Sequence, residues 1–364
     1  MKIGVPKEII PQEYRVGINP ETAQLLIENG HELFIQDGAG SDSGYENADY
    51  EKIGCSILNN PEDIFDTVEL IVKVKEPSFK EVELLKNKTI FTYLHLSSSK
   101  ELTEKLLEHN VTGIAYETVD VNGELPMLKP MSEIAGRLSL LDCISLLKKN
   151  NQGKGKLISG TSLADPANVL ILGAGIVGIN ALQMSVGLGA NTTILDINES
   201  RLNDIKTQYP QVHTLISTSE TINNLLPKMD IVIGAVLTAG AKPPTLITKE
   251  MLKLMQSKSI LSDVSIDQGG CFETSKPTTH DNPTYDVDNI IHYCVKNIPS
   301  AVPFTATNAL NEATRPFILR LANNNGVKGD SELTMGLNTH KGFLTNKEVA
   351  VAHDLDYTDS NKIL

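Results

Sequence analysis

The chain has 364 residues, 40% of them hydrophobic and 21% charged, and a formal net charge of −13. The length points to two domains and the composition to an ordinary water-soluble globular protein. The acidic balance argues against a nucleic-acid or anionic-membrane partner. The four cysteines, Cys55, Cys143, Cys271 and Cys294, are scattered without a CxxC pair. That gives no support for zinc or an iron–sulfur cluster and suits reduced thiols in a cytoplasmic protein. The opening MKIGVPKEII has no long apolar segment of the signal-peptide kind.

In chain order, residues 2–5 read as a strand, and the polar loop after it contains Arg15. Asn19-Pro20 opens a helix to about residue 29. Asn19 is a capping residue, Pro20 suits the first turn and Gly30 the stop. Residues 32–36 read as a strand. Residues 68–74 alternate, with Leu70, Val72 and Val74 on one face and Ile71, Lys73 and Lys75 on the other. A strand at 89–93, with His95 just beyond it, a helix at 101–109 and a strand at 113–116 follow. Alternating strands and helices over residues 1–128 predict a mostly parallel sheet. A long helix is predicted from Ser132, as its cap, to about residue 149, leading out of the first domain.

Residues 168–196, NVLILGAGIVGINALQMSVGLGANTTILD, organise the rest. A strand-length apolar run leads into Gly173, Gly175 and Gly178 in GxGxxG spacing. A helix-length segment and a second apolar run ending at Asp196 come next. Gly173 permits a tight turn, Gly175 lets the backbone approach a pyrophosphate, and Gly178 lets helix and strand pack closely. The amides that open the helix face the phosphates. Asp196 is placed to accept hydrogen bonds from the ribose hydroxyls and to repel a 2′-phosphate. Residues 166–195 carry no charge, but five glycines with Asn168, Asn180, Gln183 and Asn191 interrupt them, which argues against a membrane span. Later strands are predicted at 212–215, 230–234, 259–264 and 290–294. A helix at 306–323 has Pro316 as a kink, and a short helix falls at 346–353. The fold class is therefore α/β, with two Rossmann-like domains and mostly parallel sheets. One domain comprises residues 1–130 and 306–364, the other 131–305.

Ligands in open α/β sheets bind beyond the carboxyl ends of the strands. Arg15, Lys75, His95 and Asp267 all stand there. Individually each has a bland explanation: a solvated loop arginine, an exposed Lys75–Glu76 pair, a packing histidine, and an aspartate shaping the Gly269-Gly270 turn. Together they form a coherent set from two domains that would meet over a nicotinamide. Two cations suit a carboxylate and a carbonyl, one imidazole works near neutral pH, and one carboxylate completes the set.

Over these residues the chain resembles the alanine dehydrogenases, within the wider group that includes the NAD-binding subunit of nicotinamide nucleotide transhydrogenase. The resemblance is carried by KIGVPKE, EYRVGINP, IQDGAG, LIVKVKEP, FTYLHL, IAYETV, PMSEIAGRLS, LILGAGIVG, TILDIN, IVIGAVL, GAKPP, DQGGCFE, KPTTHDNPTY, YCVKNIP and GLNTHKG, in order over nearly the whole chain. It implies NAD as cofactor and interconversion of L-alanine with pyruvate and ammonium. It implies that Arg15 holds the substrate carboxylate and Lys75 the carbonyl or imine region. It implies too that His95 moves protons, that Asp267 orients water and ammonia, and that Ser132 and Asn297 lie near the nicotinamide or substrate. It also implies a homohexamer whose substrate domain uses both chain ends. The chain departs from the family's usual residues at Thr161-Ser162-Leu163-Ala164, at Phe304, and at Leu140, Leu141, Asp142 and Cys143. A transhydrogenase-like NAD(H)-binding subunit and a non-catalytic NAD(H)-binding protein are the competing readings.

Overall fold

A computed structural model describes residues 1–236 and 243–364 and divides the chain into two units, Met1–Met131 with Ser300–Leu364, and Ser132–Pro299. Leu237 of IVIGAVL and residues 240–242 of GAKPP lie outside the described residues.

In the first unit, β1 (Lys2–Val5), β2 (Glu32–Gln36), β3 (Ser56–Leu58), β4 (Leu70–Val72), β5 (Thr89–Thr92) and β6 (Thr112–Ala115) pair in parallel in the order β3-β2-β1-β4-β5-β6. Two antiparallel strands near the C-terminus, Leu337–His340 and Phe343–Leu344, extend the sheet beyond β6. In the second unit, β7 (Asn168–Leu172), β8 (Asn191–Asp196), β9 (His213–Ile216), β10 (Ile231–Gly234), β11 (Ile260–Asp263), β12 (Thr284–Val287) and β13 (Ile290–Tyr293) form a sheet ordered β12-β13-β11-β10-β7-β8-β9. Only the edge strand β12 is antiparallel to its neighbour. In both units the chain begins mid-sheet, walks to one edge, returns, and walks to the other. Connections therefore diverge between β1 and β4, and between β7 and β10, which opens a crevice beyond the carboxyl ends of those strands. The α/β class with two mostly parallel sheets is what the chain adopts.

Local chemistry explains many of the boundaries. The Asn19 side chain accepts the Thr22 amide at 2.9 Å and caps the helix Pro20–Glu28. The strand β4 is fully buried at Leu70, Ile71 and Val72, as expected for a parallel strand covered on both faces. The hairpin from β12 to β13, which the sequence reading missed, turns on Asp288 and Asn289, both at positive φ, the geometry a two-residue hairpin requires. The strand Leu337–His340 was hidden by its polar residues. Thr339 is buried because its hydroxyl donates to the Val111 carbonyl and accepts the Gly113 amide.

Ser132 is not a helix cap. The helix runs Leu128–Leu146, and Ser132 sits inside it. Pro130 is accommodated because the first turn has no need of its missing amide. The helix Pro303–Asn323 continues through Pro316.

The three departures each have a packing account. Thr161 and Ala164 exchange backbone hydrogen bonds in a tight turn with Leu163 exposed at its tip. Phe304 stacks on Tyr45 with ring centroids 5.7 Å apart. Leu140 and Cys143 are fully buried in the core of the second unit, and Asp142 accepts a hydrogen bond from the Tyr293 hydroxyl. No helix among the described residues is long and apolar enough to cross a membrane.

Candidate active site

Arg15, Lys75 and His95 follow β1, β4 and β5, three adjacent strands, at their carboxyl ends. Arg15 is almost wholly buried. Glu13 grips it twice, at 2.7 Å from Nε and 2.5 Å from one terminal nitrogen, and the other terminal nitrogen points at the Met131 sulfur, 3.0 Å away. Burial alone would weaken the guanidinium's hold on its proton; Glu13 reverses this and holds it more firmly charged than usual. Arg15 is thus a pre-aimed charge.

Lys75 is half-buried. Its main chain is fixed by the Thr92 hydroxyl, which donates to the Lys75 carbonyl at 2.8 Å, and by Glu8, which accepts the Val74 amide at 2.6 Å. The neighbouring Glu76 turns to His95 instead of forming an exposed pair with Lys75. Its carboxylate lies 3.1 Å from His95 Nδ1. Burial pushes the Glu76 carboxyl up, but the His95 hydrogen bond and charge outweigh this and hold it at about 2. An ionised acceptor at Nδ1 assigns the proton there and leaves Nε2 for chemistry. His95 itself is in the left-handed region at φ 48, with its amide donating to Glu117 and its ring stacked on Tyr93. It borders a cleft of about 320 Å³ lined also by Glu76, Pro77, Ser78, Leu94 and Ser98.

In the second unit, the turn after β7 carries the glycines. Gly173 is at φ 103, and a Cβ on Gly178 would lie 1.8 Å from the Gly173 carbonyl oxygen, so neither tolerates a side chain. At Gly175 an added Cβ would meet nothing within 4 Å. That open space stands before the uncapped N-terminus of the helix Ile176–Gly187, which suits an approaching phosphate. Asp196 ends β8, and its two oxygens accept the Ala174 amide at 2.6 Å and the Asn198 amide at 2.9 Å. Each oxygen keeps a lone pair for a ribose hydroxyl. These residues fit a dinucleotide.

Asp267 lies beyond β11 on the short helix Val264–Gln268, exposed, its side chain without a hydrogen bond to another described residue. It does not shape the glycine turn. Asp263 does, accepting from the amides of Ser265, Cys271 and Phe272 and the Ser275 hydroxyl. Asn297 follows β13 at φ 58, with His280 Nε2 3.3 Å from its carbonyl oxygen. Ser132 is half-buried within the helix Leu128–Leu146.

Sequence reasoning missed Glu8, Glu13, Glu76 and Asp263. The one usable signal was the placing of acids beside the chosen cations, in EYR and KVKEP.

Residues 4–135 match the family described as "Alanine dehydrogenase/PNT, N-terminal domain", and residues 140–347 match "Alanine dehydrogenase/PNT, C-terminal domain". The chain is 46% identical to a protein named alanine dehydrogenase from Methanococcus maripaludis and 44% identical to one from Halomonas elongata, in each case over 100% of both chains. Its fold superposes on a solved L-alanine dehydrogenase with a TM-score of 0.94 at 43% identity, covering 97% of this chain and 99% of the other. A transhydrogenase from Sinorhizobium meliloti shares the fold at a TM-score of 0.82 and 20% identity, over 95% of this chain and 99% of that one. With both family domains matched in order and full-length relatives at this identity, the chain belongs to the alanine dehydrogenase/PNT family.

Proposed function

We propose that the chain catalyses L-alanine + NAD⁺ + water ⇌ pyruvate + ammonium + NADH + H⁺. The observation that carries this reading is a guanidinium, an ammonium and a carboxylate-held imidazole on adjacent strand ends, in a chain with full-length relatives named alanine dehydrogenase. In this reading the unit built from both chain ends is the substrate domain, and the other binds NAD, which accepts the hydride from the α-carbon. Arg15 takes the substrate carboxylate by charge-assisted hydrogen bonding, its guanidinium oriented by Glu13. The Lys75 ammonium stabilises negative charge on the carbonyl oxygen. His95, steadied at Nδ1 by Glu76, moves the proton that accompanies deamination and water addition at Nε2. Asp267 stabilises the cationic imine and orients water and ammonia. Ser132 and Asn297 position the nicotinamide or the substrate. The same reading makes the protein a cytoplasmic homohexamer.

Incubation with NAD⁺ and L-alanine, followed by absorbance, is expected to show NADH forming only when both are present. No NADH with alanine sinks the reading, and hydride transfer to a second nucleotide alone would favour the transhydrogenase-like one.

Strong preference for NAD over NADP is also expected. The Asp196 carboxylate would face the added phosphate, and like charges in contact cost several kcal/mol, a ratio of efficiencies on the order of 10² or more. Arg201 lies 3.7 Å from Asp196, so Asp196→Ala should leave a cation for that phosphate and raise relative use of NADP. Steady-state rates with each cofactor check this; equal efficiency in the parent would remove the role.

A further inference from the structure

We propose that Glu8 is a positioning residue whose protonation state controls how well the substrate site accepts an anionic α-keto acid. The proposal rests on the function proposed above, with pyruvate as that anion.

Glu8 lies in the loop after β1 and is 9% exposed. One carboxyl oxygen accepts the Val74 amide at 2.6 Å and lies 3.4 Å from the Lys75 amide, so the group sits under the main chain that carries Lys75. The other oxygen makes no hydrogen bond with a described residue and stands 3.7 Å from Lys73 Nζ. Lys73 is itself buried, and Glu81 holds its ammonium at 2.5 Å. The charged and titratable groups facing Glu8 are Lys73 beyond β4, Glu81 from the helix Phe79–Leu84, Glu13 and Arg15 from its own loop, and Tyr116 after β6, while Lys75 meets it through its backbone amide. Glu13 is committed to Arg15 and Glu81 to Lys73, and Glu8 is a third carboxyl sharing a cation already taken.

That imbalance fixes the sign of the effect. Burial pushes the Glu8 carboxyl up to about 7, with Glu13 and Glu81 adding to the rise and Lys73 and the Val74 amide opposing it. Neutral Glu8 still accepts the Val74 amide through its carbonyl oxygen, so the loop keeps its place. Ionised Glu8 places a negative charge under the main chain that carries Lys75 and within electrostatic reach of Arg15, and it competes with Glu81 for Lys73. Binding an anion is then opposed, and rising pH weakens it.

Folding reports the same proton independently. Between the ordinary carboxyl value of 4.5 and about 7, the unfolded chain releases the proton and the folded chain keeps it. Stability from this group therefore falls as pH rises through that window. Glu8→Gln lacks the proton and escapes the loss, so its melting temperature relative to the parent should climb from pH 5 to pH 8.

The test titrates pyruvate into protein saturated with NADH, without ammonium, and reads nucleotide fluorescence at pH 6 and pH 8.5. Parent and Glu8→Gln should bind alike at pH 6. At pH 8.5 the variant should bind tighter by roughly three- to tenfold, the scale of one partly screened charge over several ångströms. Parallel affinities at the two pH values overturn the proposal while leaving the alanine reading intact. No pyruvate binding by the parent at either pH overturns that reading and the proposal with it. Should Glu8→Gln fail to fold, calorimetry of the parent at pH 7.5 in two buffers of different ionisation enthalpy decides. Proton uptake on pyruvate binding that persists in His95→Asn supports Glu8; uptake that is absent, or lost in His95→Asn, overturns it.

Discussion

Replacing His95 by Asn, or Asp267 by Asn, is expected to lower turnover by about 10²-fold or more, the usual scale for a group that transfers a proton or stabilises charge beside one. NADH binding and melting temperature should stay near the parent's. Local structure makes the experiment clean. His95 occupies φ 48, a left-handed conformation that Asn adopts more readily than Ala does, so Asn avoids a strain penalty that would confuse the result. Asp267 is exposed and its side chain makes no hydrogen bond to another described residue, while the turn beside it is held by Asp263. Amidation of Asp267 therefore removes charge and little structure. Turnover, NADH titration and thermal melting on each variant check the prediction. Substantial turnover in either returns that residue to a structural role.

Arg15→Ala should produce two separate losses. The first is stability. Glu13 is as buried as Arg15, and removing one partner of a buried pair strands the other at a cost of about 3–5 kcal/mol. The second is affinity for pyruvate, which should fall roughly ten- to a hundredfold as charge-assisted hydrogen bonds worth about 1.5–3 kcal/mol disappear, with NADH affinity nearly unchanged. A Glu13→Leu/Arg15→Met double variant separates them. Replacing a buried ion pair by apolar residues of similar volume is often neutral for folding. The double variant should recover most of the melting temperature and none of the pyruvate affinity. Recovery of both would make Arg15 structural, and a fall in NADH affinity with pyruvate binding intact would reverse the assignment of the two units.

Most strands of both sheets, the glycine turn after β7 and the cap at Asn19 were legible because each depends on a few consecutive residues: an apolar run, a spacing, a capping side chain. The same locality placed Arg15, Lys75, His95 and Asp267 beyond strand ends. Ser132 is not the cap, because the helix starts at Leu128 and its first turn accepts Pro130.

Tertiary structure alone decided who holds whom. Lys73 shares a strand face with Ile71 and Lys75 in the sequence pattern, and the fold buries it against Glu81. Glu8 meets the Val74 amide 66 residues away, and Glu76 meets His95 across 19. Those meetings depend on strand order, in which β1, β4 and β5 lie side by side although β2 and β3 intervene in the chain. Periodicity shows that a strand exists and which residues share a face. The neighbours it acquires, and hence the partner that charges, orients or neutralises a catalytic side chain, come from crossover connections that pack apolar surface over many residues at once, a sum that no single stretch of sequence contains.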